Sequence, residues 1–174
     1  MDDDIDIDEI EEGKLWLGSF APGNIKVLKE KGIKKILTLM DGNLSNFSYK
    51  EQGFNQKIID IMDYDSENII QYFGECLNFI KGEEKVFVHC AAGASRSATI
   101  VIAYIMWKKK MRFDKAYDFV KTKRSIIYPN LGFRQQLQMF EKLLLENGYN
   151  ISKIYFRSIK WKPSEHSNSY FSFY

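Results

Sequence analysis

Residues 85–109 carry, without a break, three kinds of sequence that leave few folds open. Residues 85–89 (KVFVH) are a β-branched and aromatic run typical of a central strand. Residues 90–96 (CAAGASR) make a tight loop of small residues. Residues 97–109 then read as a strongly apolar helix that ends in Lys108-Lys109-Lys110. The same alternation recurs along the chain. Residues 14–17 read as a short strand closed by Gly18, residues 24–31 as a helix led in by Pro22-Gly23 and stopped at Gly32, and residues 33–39 (IKKILTL) as a buried strand. A polar, glycine-bounded loop over 41–53 precedes another strand over 54–61. Ser66 is placed to cap a helix to about residue 80, with Ile69, Ile70, Phe73, Cys76, Leu77 and Ile80 on one face. Asp114 is placed to cap a helix to about 123, and Pro129-Asn130 opens one to about 146, stopped at Gly148. Strands alternating with helices predict a single α/β domain with a central, mostly parallel twisted sheet of four to five strands flanked by helices. The 174 residues suffice for one core, and 45% hydrophobic content excludes a disordered chain.

The net charge of +2 conceals an asymmetry. Residues 1–12 hold eight acidic groups and no basic one, leaving 25 basic against 15 acidic groups in the rest. A basic body suits anionic ligands, phosphate esters and nucleic acid among them, although on charge alone a solvated surface is the better reading. In the acidic head, Ile5, Ile7 and Ile10 alternate with acids, so part of it is able to pair as an edge strand. No apolar run reaches the length of a membrane span, and the acidic N-terminus is unlike a secretory signal. Asp2 excludes a myristoyl anchor, and the chain ends in Tyr174 without a prenylation cysteine. The expectation is an intracellular protein, cytoplasmic with the nucleus also open. Two cysteines, Cys76 and Cys90, are too few for a disulfide scaffold or a zinc cage.

The loop after residues 85–89 carries the chemistry. Ligands of α/β sheets sit beyond the carboxyl ends of strands. A strand, a loop of small residues and a helix start make an anion cradle, because loop and first-turn amides point inward and the helix dipole adds positive potential. Ala91, Ala92, Gly93 and Ala94 keep that backbone unobstructed, with Ser95 completing the phosphate-binding stretch. A thiol facing such a cradle, as Cys90 does, ionises more easily than a free cysteine at about 8.5 and becomes an activated nucleophile. Arg96, six positions on, has a planar fork that grips two phosphate oxygens.

His89-Cys90-x5-Arg96-Ser97 matches the signature loop of the cysteine-dependent phosphatases, and HCAAGASRSATIVIAYIM resembles the dual-specificity phosphatases within the protein tyrosine phosphatase superfamily. The resemblance spans roughly residues 5–147. It includes Leu15-Trp16-Leu17-Gly18, residues 33–39, Tyr72-Phe73 to Phe79-Ile80, and Arg124-Ser125-Ile126-Ile127-Tyr128-Pro129-Asn130-x-Gly132-Phe133 with Gln136-Leu137. It implies a protein tyrosine phosphatase-like fold and hydrolysis of phosphotyrosine and phosphoserine or phosphothreonine through a cysteinyl-phosphate, with no metal or cofactor. It also implies division into a catalytic domain over 1–150 and a basic, aromatic tail over 151–174.

The departing oxygen needs a proton donor. Asp60, Asp63 and Asp65 lie between the strand and helix on either side of residues 62–65, where the family carries its acid. Counting back from Tyr72-Phe73 favours Asp63, with Asp65 the alternative and Asp60 part of the strand. By resemblance Ser97 assists departure of the sulfur, His89 supports the ionised Cys90 through a hydrogen bond, and Asn130 braces the loop. The plainer readings are an N-cap for Ser97 and Asn130 and a satisfied core histidine for His89. Cys76 reads as core packing, with a reversible disulfide to Cys90 as the sharper alternative. No cation stands at the variable loop positions Ala91, Ala92, Ala94 and Ser95, which favours a singly phosphorylated protein side chain. The string resembles small, atypical members built of the catalytic domain alone. Alternatives are a non-catalytic phosphoprotein-binding adaptor and a phosphatase acting on a lipid or an RNA 5′ end. Lys153, Arg157, Lys160 and Lys162 among Tyr155, Phe156 and Trp161 raise nucleic-acid binding, but no nucleic-acid module is visible and docking on protein fits better. Oligomeric state is not legible.

Overall fold

The computed structural model describes residues 6–20, 24–42 and 47–163. Pairing by Ile5, the Pro22-Gly23 lead-in, loop residues 43–46 and tail residues 164–174 lie outside the described residues. The elements are β1 (Ile7–Glu11), β2 (Leu15–Ser19), α1 (Ile25–Glu30), β3 (Lys35–Met40), β4 (Asn55–Asp60), α2 (Phe73–Ile80), β5 (Val86–Cys90), α3 (Arg96–Lys109), α4 (Phe113–Lys123) and α5 (Leu131–Glu146). They form one five-stranded sheet in the order β1-β2-β5-β3-β4. β2, β5, β3 and β4 run parallel, and β1 joins antiparallel at the edge. The sheet is the mostly parallel one that the alternating elements predict.

Both faces of the sheet are covered, and the side-chain alternation shows how. Leu15, Leu17, Leu37, Leu39, Val86 and Val88 face the main core with residues of α2, α3 and α5. Trp16, Ile36 and Phe87 face the other way, into a smaller core with Leu28 of α1, Tyr49 and Phe54. Burial on both faces explains why these strands read as continuous apolar runs. α3 is enclosed from Arg96 to Met106, so its helix has no polar face over that length.

Two capping expectations fail. α2 starts at Phe73 with no side-chain cap, preceded by a 3-10 turn over Ile70–Tyr72. The predicted apolar face is buried, but Ser66 caps no helix, because the Glu67 and Ile69 amides bond the Tyr64 and Glu67 carbonyls in tight turns. Gln136 of α5 accepts from the Ile70 amide and donates to the Glu67 carbonyl, so backbone groups that a longer helix would satisfy are taken by a side chain. In α4 the N-cap is Arg112, and the Phe113 amide is met by Glu141 of α5; Asp114 sits in the first turn.

Residues 151–163 fold back over the domain. Short 3-10 turns at Ile151–Lys153 and Phe156–Ser158 carry Phe156 into the main core, 6% exposed. Its ring lies in a notch at Gly74 of α2, where an added Cβ would stand 2.6 Å from the Phe156 ring. Phe156→Ala is expected to cost about 3 kcal/mol in urea unfolding, the lower end for a buried phenylalanine. A loss below about 0.5 kcal/mol, the level of an ordinary surface substitution, would show that this segment is peripheral to the fold.

Candidate active site

The loop after β5 is held by its carbonyls. The Ala91 carbonyl accepts from the Phe20 amide, and the Ala94 carbonyl from the Tyr128 amide. Arg124 Nη2 donates to the Ala92 carbonyl at 3.1 Å and Nε to the Gly93 carbonyl at 2.9 Å. The Ser95 carbonyl accepts from the amide and the hydroxyl of Thr99. Each carbonyl from 91 to 95 is therefore tied to the surrounding protein. In a planar trans peptide the next N–H points the opposite way. The amides of residues 92–96 are thereby turned away from those partners, at the start of α3 where the helix dipole adds to them, and the Gly93 amide meets Cys90 Sγ. Gly93 permits the sharpest part of the turn, with φ at +66°. A Cβ there would stand 2.4 Å from the Gly18 carbonyl oxygen.

Cys90 ends β5, 3% exposed, where this loop begins. The Gly93 amide donates to its Sγ at 3.2 Å, and the Ser97 hydroxyl lies 3.0 Å from the same sulfur. The Gly93 contact places a backbone donor on the sulfur, and the Ser97 hydroxyl is near enough to exchange a hydrogen bond with it. Ser97 is inside the first turn of α3; the N-cap position belongs to Ser95, whose side chain does not cap. Arg96 is 8% exposed. Its Nη1 donates to the Ile61 carbonyl at 3.1 Å, while its Nε is buried without a partner among the described residues. A buried guanidinium N–H left unpaired calls for a ligand acceptor.

Of the three aspartates, Asp63 is the one whose carboxylate reaches the loop. Its Oδ1 accepts from the Ser95 hydroxyl at 2.6 Å and from Asn130 Nδ2 at 3.0 Å. Asp60 belongs to β4 and accepts from the Gly42 amide. Asp65 offers its backbone carbonyl to Trp161 Nε1. Asn130 does two things at once. It caps α5 through a bond from the Phe133 amide, and its own amide donates to Ser95 Oγ at 3.1 Å. Among the described residues no cluster of three or more His, Cys, Asp or Glu is placed to hold a metal ion, and no helix is long and apolar enough to cross a membrane.

The model of the dual specificity phosphatase catalytic domain matches residues 15–143. The chain belongs to the dual specificity phosphatase family. Among its relatives, Dual specificity protein phosphatase 1B of Arabidopsis thaliana is 40% identical over 147 residues, covering 82% of this chain and 86% of that protein. Human Dual specificity protein phosphatase 6 is 43% identical over 135 residues, covering 75% of this chain and 35% of that longer protein. The crystal structure of human tyrosine phosphatase-like serine/threonine/tyrosine-interacting protein superimposes with a TM-score of 0.75 at 37% identity, covering 80% of this chain and 97% of that one.

His89 does share a hydrogen bond with Cys90, and it falls on the backbone carbonyl. Its ring does not bond the sulfur: Nδ1 lies 3.2 Å from the Cys90 carbonyl and Nε2 2.7 Å from Thr38 Oγ1, which accepts from Gln56 Nε2. With the Gln56 amide donating to Thr38, the hydroxyl hydrogen is free for Nε2, and Nδ1–H faces the carbonyl. The ring stacks on Phe20 and Phe87 and is fully buried. Burial pushes its pKa from 6.5 down to about 4, outweighing the Cys90 carbonyl, which pulls it up. His89 is thus a neutral brace beneath the phosphatase loop. Cys76 is buried in the core on α2, and burial drives its thiol pKa well up.

The sequence reading did not single out Arg124 as a site residue. Its side chain is 1% exposed, and besides the two loop carbonyls it bonds Asp6 at 2.7 and 2.8 Å and Asp8 at 2.8 Å. The bond to Arg124 holds the Asp6 carboxyl below its ordinary value. The acidic head therefore clamps the guanidinium that holds the carbonyls of Ala92 and Gly93. The signal was present in the run of acids before β2, but the partner lies more than a hundred residues away.

Two outcomes follow from this arrangement in the phosphatase domain. Arg124→Met is expected to lower stability by about 2–3 kcal/mol, at the low end for a broken buried pair because Asp6 and Asp8 stay half-exposed; an unchanged urea midpoint would contradict the clamp. The unfolded chain binds a proton at His89 near pH 6.5, whereas the folded chain does so only near 4. Stability therefore declines as pH falls through that window, by about 3 kcal/mol at most, and levels off below it. An NMR titration placing His89 near its ordinary value would refute this.

Proposed function

We propose that this domain hydrolyses phosphotyrosine and phosphoserine or phosphothreonine side chains of proteins in two steps through a cysteinyl-phosphate on Cys90. The observation that carries the reading is one sulfur that accepts from the Gly93 amide, with Arg96 Nε at the end of the same loop buried and without a partner among the described residues. In the first step Cys90 Sγ attacks phosphorus in line. The S–P bond forms as the bond to the substrate oxygen breaks, and that oxygen takes a proton from Asp63. With Oδ1 accepting from Ser95 and Asn130, Oδ2 is the oxygen to carry the transferable proton. Arg96 and the amides of residues 92–96 hold the equatorial oxygens and stabilise the charge of the transition state. In the second step water attacks phosphorus and gives its proton to Asp63. The S–P bond breaks, and the Ser97 hydroxyl donates to the leaving sulfur. Ala91, Ala92 and Ala94 add no cation to the cradle, which supports a singly phosphorylated substrate over a multiply phosphorylated lipid headgroup.

Cys90→Ser is expected to abolish turnover of an aryl phosphate while oxyanion binding survives. Undiminished turnover would overturn the mechanism, and an inert wild type would favour a phosphoprotein-binding adaptor. Asp63→Asn is expected to lower kcat by about 10²–10⁴ with stability intact; a larger loss in Asp65→Asn would move the acid to that residue. In a phosphopeptide panel, hydrolysis of phosphotyrosine alone would remove the dual specificity.

A further inference from the structure

Residues 151–163 lie beyond the family match, which ends at 143, yet they are built onto the stretch that presents Asp63. Residues 62–66 are exposed and have no regular secondary structure; the Asp65 backbone rests on Gly132 of α5, where an added Cβ would stand 2.0 Å from its carbonyl oxygen, and no helix or strand bonds hold the stretch on either side of that contact. Their position depends on tethers. On one side are Arg96 to the Ile61 carbonyl, Ser95 and Asn130 to Asp63, and Gln136 to the Glu67 carbonyl. On the other side stands the C-terminal segment. Trp161 Nε1 donates to the Asp65 carbonyl at 2.9 Å, two residues after Asp63, and Asn68 Nδ2 donates to the Ile159 carbonyl at 2.8 Å. The segment is itself anchored by Phe156 in the core and by Arg157, which pairs with Glu75 and lies 4.8 Å over the Tyr72 ring.

We propose that residues 151–163 form a strap that positions the acid loop, with Trp161 as the positioning residue that sets where Asp63 delivers its proton. The inference rests on the phosphatase reading of the site. It assigns a catalytic consequence to a segment outside the matched domain. Proton delivery tolerates little displacement: a donor must come within about 2.6–3.2 Å of the departing oxygen, and a shift of about 1 Å costs up to roughly a hundredfold in rate. The Trp161 bond falls on an exposed carbonyl, so its loss costs the fold little and the loop's aim more.

The test compares wild type, Trp161→Phe and Asn68→Ala on two aryl phosphates, phenyl phosphate and 2,4-dinitrophenyl phosphate. A phenol leaving group needs the proton, whereas dinitrophenolate departs without it. Trp161→Phe keeps the ring and removes the N–H. Both variants are expected to lose roughly tenfold in kcat on phenyl phosphate, a fraction of the full acid contribution, with the dinitrophenyl ester unchanged. In an Asp63→Asn background the loss is expected to vanish, because the residue then has no acid to aim. Equal losses on both esters, no loss on either, or a loss that persists in Asp63→Asn would overturn the strap's role while leaving the phosphatase reading intact. A wild type inert on both esters would instead remove the phosphatase reading, and this role with it.

Discussion

The site depends on five carbonyls, 91 to 95, being tied to the surrounding protein. A loop of small residues has no intrinsic reason to turn its N–H groups inward; glycine and alanine leave the backbone free to point either way. Direction comes from outside the loop. Phe20 and Tyr128 supply backbone amides, Thr99 an amide and a hydroxyl, and Arg124 a buried guanidinium. Since every peptide plane is rigid, tying one side fixes the other, and the cradle exists before any anion arrives. That is the electrostatic preorganisation a charge-developing transition state requires.

The same logic explains why a cluster of acids is tolerated near an anion site. Asp6 and Asp8 bond Arg124, which offsets one of their two charges, and both carboxylates stay half-exposed to water, which screens the other. Arg96 keeps its buried Nε–H without a partner among the described residues. Two arginines thus divide the work: one is neutralised and shapes the backbone, the other stays available to the ligand. His89 belongs with the first kind. Held neutral by burial and bonded to Thr38 and the Cys90 carbonyl, it fixes where the strand ends and adds no charge to the sulfur's surroundings.

The parts legible in the sequence were those whose information is contiguous. The strand, loop and helix over residues 85–109 are read directly, because the apolar run, the small residues and the helix follow without a break. Edge pairing by the acidic head followed from the alternation of Ile7 and Ile10 with acids. Asp63 could be favoured only by counting from Tyr72-Phe73, and its bonds to Ser95 and Asn130 appear only when β4, the loop and α5 are brought together. What failed or was missed was non-local. Ser66 is a sound cap by composition, but Gln136, about seventy positions on, takes the backbone groups a longer helix would have used. The Arg124 clamp and the Trp161 tether join residues 118 and 96 positions apart, a distance at which periodicity and capping rules carry no information.

The central claim is that the amides of residues 92–96 and the Arg96 Nε–H together form one oxyanion cradle. The most direct measurement is a ¹⁵N–¹H NMR titration of the protein with tungstate, a tetrahedral dianion that does not turn over. Large, saturable shifts confined to those amides and the Arg96 Nε–H, with Thr99, Arg124 and His89 little changed, are the predicted result. Tungstate shifts that spread over surface lysines and leave residues 92–96 unmoved would contradict the account.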